Sequence, residues 1–192
     1  MNERTFLASS AHKLEDPRRL EWLPPAELLK VMRPLTGTIV ADIGAGTGYF
    51  TLPLAQTPDG PDLIYAVDIQ PEMLSLLKNK LLPATSEKVR LIEGTAARTN
   101  LPDASCDHLL LANIWHELDE RSAVLAECRR ILRGNGRIAI LDWSPDVDAT
   151  FGPPLHHRIA SSAAAGELEA SGFVGVNQQK IGLYSYLVTA HL

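Results

Sequence analysis

Cysteine is nearly absent. Among 192 residues only Cys106 and Cys128 occur, far apart and outside any CxxC spacing. Neither a disulfide framework nor a cysteine-held zinc site organises such a chain, and a reducing cytoplasmic setting is the expectation. Surplus positive charge is missing too: the net charge is −5 and the pI about 5.7. That excludes a bare nucleic-acid groove, which needs a basic face to displace counterions. The opening stretch MNERTFLASSAHKLEDPRRL has no long apolar run, so no signal peptide and no membrane span are expected. Repeats and low-complexity tails are absent, and His156 and His157 have no acidic neighbour at metal-ligand spacing, so no metal site is expected. What is present is ordinary for a globular domain: 45% hydrophobic and 21% charged residues, enough chain for one well-filled core.

Along the chain, apolar strand-like runs alternate with helical patterns. A first helix is expected from Pro25 to about Arg33, with proline in its first turn. The runs TIVADI (38–43), LIYAVDI (63–69), VRLIEG (89–94), CDHLLLANI (106–114) and RIAILDW (137–143) read as strands. Helices are expected to begin near Gly48, to cover PEMLSLLKNKL, to run from about Glu120 to Arg133, and to span roughly 156–171 after the loop SPDVDATFGPP. RGNG reads as a glycine stop for the third of these. The strands are continuously apolar, not alternating, which predicts a parallel sheet covered by helices on both faces. FVGVNQQKI and LYSYLVTAHL have only GL between them. No crossover helix fits there, so this pair must be antiparallel.

The stretch IVADIGAGTGYF, Ile39 to Phe50, carries the functional signal. Gly44, Gly46 and Gly48 would bend the chain at the carboxyl end of a strand, where open α/β sheets bind ligands. The spacing lacks the last glycine of the dinucleotide fingerprint, Tyr49 standing in its place, and no G-K-[ST] follows. Asp42 would repel a phosphate, whereas Asp68, at the end of the next strand, can accept both hydroxyls of a ribose. A nucleoside with positive charge at its far end fits both acids. S-adenosylmethionine has that anatomy, and the glycines let the backbone pass close beneath its methionine portion.

VADIGAGTGYF, YAVDIQPEML, LPDASCDHLLLANIWHEL and RRILRGNGRIAILDW resemble, in order, the motifs of class I S-adenosylmethionine-dependent methyltransferases. The likeness runs from about Ala26 to the C-terminus, and the layout is similar to small bacterial methyltransferases of the type 11 group, whose substrates are generally unassigned. The resemblance implies a three-layer, Rossmann-like α/β fold: a doubly wound sheet of seven strands in the order 3-2-1-4-5-7-6, with strand 7 antiparallel. It assigns residues 37–192 to the cofactor-binding core and residues 1–36 to an N-terminal segment and helix covering the cofactor or acceptor site. By position, Asp42, Gly44, Ala45, Gly46, Gly48 and Tyr49 would meet the methionine end. Asp68 would hold the ribose, and Ile69 and Met73 would flank the adenine. Many relatives follow the third strand with Gly-Asp-Ala; here it is Gly94-Thr95-Ala96, so one hydrogen bond from Thr95 remains and charge assistance is lost. Asn113 would face the same cleft.

Methyl transfer from a sulfonium needs alignment above all, and a base only when the acceptor must lose a proton. His116 in NIWHEL is the candidate base; it reads equally as a histidine packed at a loop-helix junction. Glu117 is expected to be exposed and Asp119 to cap the following helix. Trp115, Asp142 and Trp143 are the substrate-side candidates, with packing favoured for Trp115 and a plain loop carboxylate for Asp142. Asn113-Ile114-Trp115-His116 departs from the Asn/Asp-Pro-Pro-aromatic sequence of nucleic-acid and glutamine methylating relatives, and two cysteines are too few for arsenite. Quinone-ring C-methyltransferases share the core motifs but tend to be longer. The expected partner is a small-molecule acceptor, in a monomer or homodimer, its pocket shallow or completed by HKLEDPRRLEW or a second subunit. The competing reading is a cofactor-binding sensor or supporting subunit without turnover; a nicotinamide-dependent oxidoreductase ranks third.

Overall fold

The computed structural model describes residues 6–147 and 152–192. Seven strands form one sheet: β1 (Ile39–Ile43), β2 (Leu63–Asp68), β3 (Val89–Glu93), β4 (Cys106–Ala112), β5 (Leu132–Trp143), β6 (Val174–Ile181) and β7 (Ser185–His191). Their order is β3-β2-β1-β4-β5-β7-β6. The first five are parallel, and β7 runs antiparallel to both β5 and β6. The helices are α1 (Arg19–Trp22), α2 (Pro25–Met32), α3 (Thr51–Gln56), α4 (Pro71–Lys80), α5 (Pro83–Ser86), α6 (Arg121–Ile131) and α7 (Ser161–Ala170).

The continuous apolar runs are buried on both faces, as parallel strands must be. Along β4, Leu109 and Leu111 pack into one core with Trp115, Leu125, Cys128 and Leu168, while Leu110 between them packs into the other with Leu28, Leu54 and Leu77. Each such side chain contributes about 1.5–3 kcal/mol of burial.

Three boundaries differ from the sequence expectation, each for a local reason. The helix after β1 starts at Thr51, not near Gly48, because Gly44, Gly46 and Gly48 have φ of +76°, +54° and +90°, outside the right-handed helix. RGNG is not a glycine stop. Helix α6 ends at Ile131; Leu132 after it, with φ of −72° and ψ of 142°, is already extended, and Gly134 and Gly136 lie inside β5. Pairing of Cys106 with Leu132 draws that segment into the sheet, with a register shift before His108 meets Arg137. The alanine-rich helix begins at Ser161; Leu155–His157 before it form a separate 3-10 turn after two prolines. Of the loop between β5 and that turn, residues 148–151 lie outside the described residues.

Gly48 is a packing position, contrary to its expected place in the cofactor site. A Cβ built there would collide with Leu77 Cδ1, and Gly48 is not among the residues lining the cleft. Gly48→Ala is expected to cost about 2 kcal/mol or more, combining left-handed backbone strain with overpacking. In a thermal melt that lowers Tm by ~4–8 °C. An unchanged Tm would remove this role.

Candidate functional site

One cleft of about 1580 Å³ opens beyond the carboxyl ends of β1, β2, β4 and β5. Single small-molecule sites occupy roughly 300–1,000 Å³, so there is room for two ligands side by side.

At one end lies the glycine turn. Gly44 N and Ala45 N donate to Val67 O at 2.8 and 3.0 Å, tying the turn to β2. A Cβ on Gly44 would lie 2.6 Å from Ile114 Cγ2, so only glycine allows this approach. Gly46 N donates to Asp68 Oδ2 at 2.8 Å, and Gln70 N donates to Asp68 Oδ1 at 2.9 Å. Each oxygen of Asp68 thus keeps acceptor capacity for a ligand. Behind the turn, Thr51 Oγ1 donates to Asp42 Oδ2 at 2.6 Å. Burial pushes the Asp42 carboxyl up to about 6, opposed by the Thr51 bond and reinforced by the charge of Asp68. Burial also raises Asp68, against the pull of its backbone donors. Ala45, Tyr49, Ile69, Met73 and Gly94 to Ala96 line the same end. The loop after β3 is held from behind by Glu127, whose Oε1 accepts from Thr99 N at 2.8 Å and Thr99 Oγ1 at 2.6 Å. Hydrogen bonds with Arg130 above all hold Glu127 down to about 2.

At the other end, β4 gives way to a short turn, Trp115–Glu117. Asn113 before it has a left-handed φ of +58°. The residue lines the cleft, and both polar atoms of its amide are buried and find no protein partner among the described residues. His116 Nδ1 lies 2.7 Å from Asp142 Oδ1, and His116 N donates to Asp142 Oδ2 at 2.9 Å. Trp143 N donates to Asp142 Oδ1 at 2.7 Å. Asp142 is fully buried and does not line the cleft, so it is neither the plain loop carboxylate favoured from the sequence nor the acceptor-orienting group kept as the alternative. It orients His116. Burial pulls the imidazole pKa down, but the charge and hydrogen bond of Asp142, with help from Glu117, leave it above the ordinary histidine value.

Of three further positions, Trp115 is packed as the favoured sequence reading had it, and the other two expectations are corrected. Trp115 is fully buried in the core, its Nε1 donating to Glu167 Oε2 at 3.1 Å, and it does not line the cleft. The tight turn sends Trp115 inward and its neighbour His116 toward the ligand space. Glu117 is not exposed: its carboxylate lines the cleft and accepts from Phe6 N at 3.2 Å. Burial raises it to about 7, with His116 opposing. The cap position of α6 belongs to Glu120, not Asp119, and makes no side-chain cap bond.

The N-terminal segment forms the outer wall, running as a 3-10 stretch (Ala8–Glu15) into α1. Ala8 N donates to Gln70 Oε1 and Gln70 Nε2 to Phe6 O, both at 2.8 Å. Glu15 Oε1 accepts from Thr47 Oγ1 at 2.6 Å and from Lys80 Nζ at 2.5 Å. Arg19 is buried over the Tyr49 ring, 3.8 Å from its centroid, and burial lowers its pKa to about 10. Its guanidinium donates to Leu14 O at 3.4 Å. Sequence reasoning missed Arg19, Gln70 and the burial of Glu117. For Arg19 the signal was the basic-aromatic run RRLEW, inside the stretch HKLEDPRRLEW that was expected to complete the pocket but named no residue. Among the described residues, no group of three or more His, Cys, Asp and Glu is placed to hold a metal, and no helix is long and apolar enough to cross a membrane.

A doubly wound sheet with a reversed seventh strand, and an acid-flanked glycine turn at its first strand end, is the arrangement of class I S-adenosylmethionine-dependent methyltransferases. Residues 41–140 match the methyltransferase domain family of type 11. The chain belongs to that family. It is 38% identical over 128 residues to an uncharacterized methyltransferase of Mycobacterium tuberculosis, covering 67% of this chain and 45% of that protein. To a demethylmenaquinone methyltransferase of Listeria monocytogenes it is 29% identical over 118 residues, 62% of this chain and 50% of the relative. The chain thus spans about half the length of the curated relatives it matches. A crystal structure of an S-adenosylmethionine-dependent methyltransferase from Aquifex aeolicus superposes with a TM-score of 0.88 at 29% identity, over 97% of this chain and 99% of that one. The 1,6-didemethyltoxoflavin-N1-methyltransferase of Burkholderia thailandensis, solved with bound 1,6-didemethyltoxoflavin and S-adenosylhomocysteine, shares the fold (TM-score 0.69, 24% identity, 95% of this chain and 84% of that one).

Proposed function

We propose that this chain transfers a methyl group from S-adenosylmethionine to a small organic acceptor. The observation that carries the reading is the charge of the cleft: Asp42, Asp68 and Glu117 line it together, and burial raises all three. Three carboxyls gathered at the strand ends favour a cationic group there over a diphosphate. The residues present fit the cofactor. Asp68 retains acceptor capacity for ribose hydroxyls, the unpartnered Asn113 amide has both a donor and an acceptor to offer, and Arg19 supplies a cation for the amino-acid carboxylate. When bound, the sulfonium supplies a methyl carbon already activated toward displacement. The chain's own part is alignment and exclusion of water by residues 6–22, which wall the cleft.

The test is calorimetric titration with S-adenosylmethionine, S-adenosylhomocysteine and a nicotinamide dinucleotide, followed by transfer of labelled methyl into a metabolite extract. Preference for the dinucleotide would reverse the reading; tight binding with no transfer would favour a sensor. The pH dependence is signed. Asp42 and Glu117 become anionic as pH rises through about 6 and about 7, and only S-adenosylmethionine carries the sulfonium charge that both attract. Its preference over S-adenosylhomocysteine should therefore grow between pH 5.5 and 7.5, by about tenfold if one close charge contributes ~1.4 kcal/mol. In Asp42→Asn the rise should shrink. A preference independent of pH in the unaltered protein would contradict the charge argument.

A further inference from the structure

We propose that the acceptor is a flat aromatic compound bearing a weakly acidic hydroxyl, and that His116, aligned by Asp142, takes the hydroxyl proton as the methyl group arrives. This rests on the methyltransferase reading above and names its substrate class.

Two independent features meet at the acceptor end. The first is the buried pair. Asp142 accepts from the main chain of His116 and of Trp143 as well as facing His116 Nδ1 at 2.7 Å. A carboxylate held by two backbone donors cannot swing away, so it fixes the ring and keeps the proton on Nδ1. Nε2 is then the basic nitrogen, on a residue that lines the cleft. A pure binding site has no use for a base so prepared. Nor has an acceptor that reacts through a lone pair already free, such as a thioether or a tertiary amine. A hydroxyl is different: it is a poor nucleophile until its proton leaves.

The second feature is the wall beside it. Trp22 and Trp143 lie 5.0 Å apart, ring centre to ring centre, and Tyr184 stands edge-on to Trp22 at 6.3 Å. All three line the cleft, with Pro153 and Pro154. The nearest cation there, Arg158, donates to the carbonyls of Pro153, Ser144 and Val147. Its guanidinium also lies 5.4 Å from the centre of the Trp143 ring, and rigid aromatic side chains of this kind suit a flat guest. The balance is complete without another reactant. The acceptor's O–H bond breaks and its proton goes to His116 Nε2. An O–CH3 bond forms as the donor's S–CH3 bond breaks, the bonding pair staying on sulfur. The positive charge passes from the sulfonium to the imidazolium, where Asp142 faces it.

Phenols of graded acidity, including 4-nitrophenol, are the probes. With S-adenosylhomocysteine bound, visible absorption should show 4-nitrophenol shifted toward its phenolate on the wild-type protein and unshifted on His116→Gln. In turnover, His116→Gln should lower kcat about a hundredfold for weakly acidic phenols and little for phenols already ionised in the assay buffer. Asp142 is a positioning residue. The groups facing His116 are Asp142 from β5, Glu117 from its own turn and Arg158. The rate should rise with pH as His116 loses its proton, and Asp142→Asn should move that inflection to lower pH, a change that loosened folding alone does not produce. O-methylated product with these patterns supports the proposal. Equal losses for both classes of phenol, methylation of carbon or nitrogen instead, or cofactor binding without any bound phenol would each overturn it while leaving the methyltransferase reading intact. Failure to bind S-adenosylhomocysteine at all would overturn both.

Discussion

Asp68→Ala is expected to weaken S-adenosylhomocysteine binding about a hundredfold while leaving the protein folded. Its two oxygens each take one backbone donor, from Gly46 and Gln70, and the remaining acceptor capacity faces the cleft. A vicinal diol would fill it with two charge-assisted bonds. Such bonds contribute about 1.5–3 kcal/mol each, but two freed backbone N–H groups can recover part of the loss through water. A net loss of ~2.7 kcal/mol is the hundredfold change. Asp68→Asn should fall between, since it keeps an oxygen for one backbone donor and loses the charge. Titration calorimetry reads both, and circular dichroism checks the fold. An alanine variant that binds within threefold of wild type would take the ribose away from this carboxylate.

Trp115→Ala should be the most damaging single change to stability. The indole is fully buried among Leu109, Leu125 and Leu168, and its Nε1 is satisfied by Glu167. Truncating a buried tryptophan costs roughly 3–5 kcal/mol through lost transfer energy and the cavity left behind. For a chain of this length that lowers Tm by on the order of 10 °C. Trp115→Phe, which fills most of the space and leaves Glu167 paired with Arg121, should lose less. Cofactor affinity measured at low temperature should be close to wild type in both, because the side chain points away from the cleft. A Tm near wild type with a selective loss of turnover would instead restore Trp115 to the substrate side.

The sheet was legible because it follows from simple signals. Doubly apolar strands, a glycine turn that cannot be helix, and two acids at strand ends are all local, and they place Asp42 and Asp68 at the cleft. The glycines of RGNG misled because a local stop signal competes with strand pairing, and pairing with β4 prevailed. His116 and Trp115 are adjacent, and only the path of the short turn decides which of them turns inward. Partners far off in the chain were beyond reach altogether. Glu117 is buried by contact with Phe6, separated by 111 positions, and Asp142 finds His116 from a neighbouring strand 26 positions on. Arg19 becomes notable only once Tyr49 is folded beneath it.

The stretch from Phe6 to Glu15 is fastened differently from everything under it. Its ties to Gln70, Thr47, Lys80 and Glu117 are polar, and Ala11 alone in Ala8–Glu15 is buried. Bonds of that kind trade readily with water, so releasing this strap exposes little oil and should cost far less than opening the sheet. Traffic through the mouth can then proceed by unbuttoning one flap over a rigid bowl, and amide protons of residues 8–15 should exchange well before those of β1 or β4.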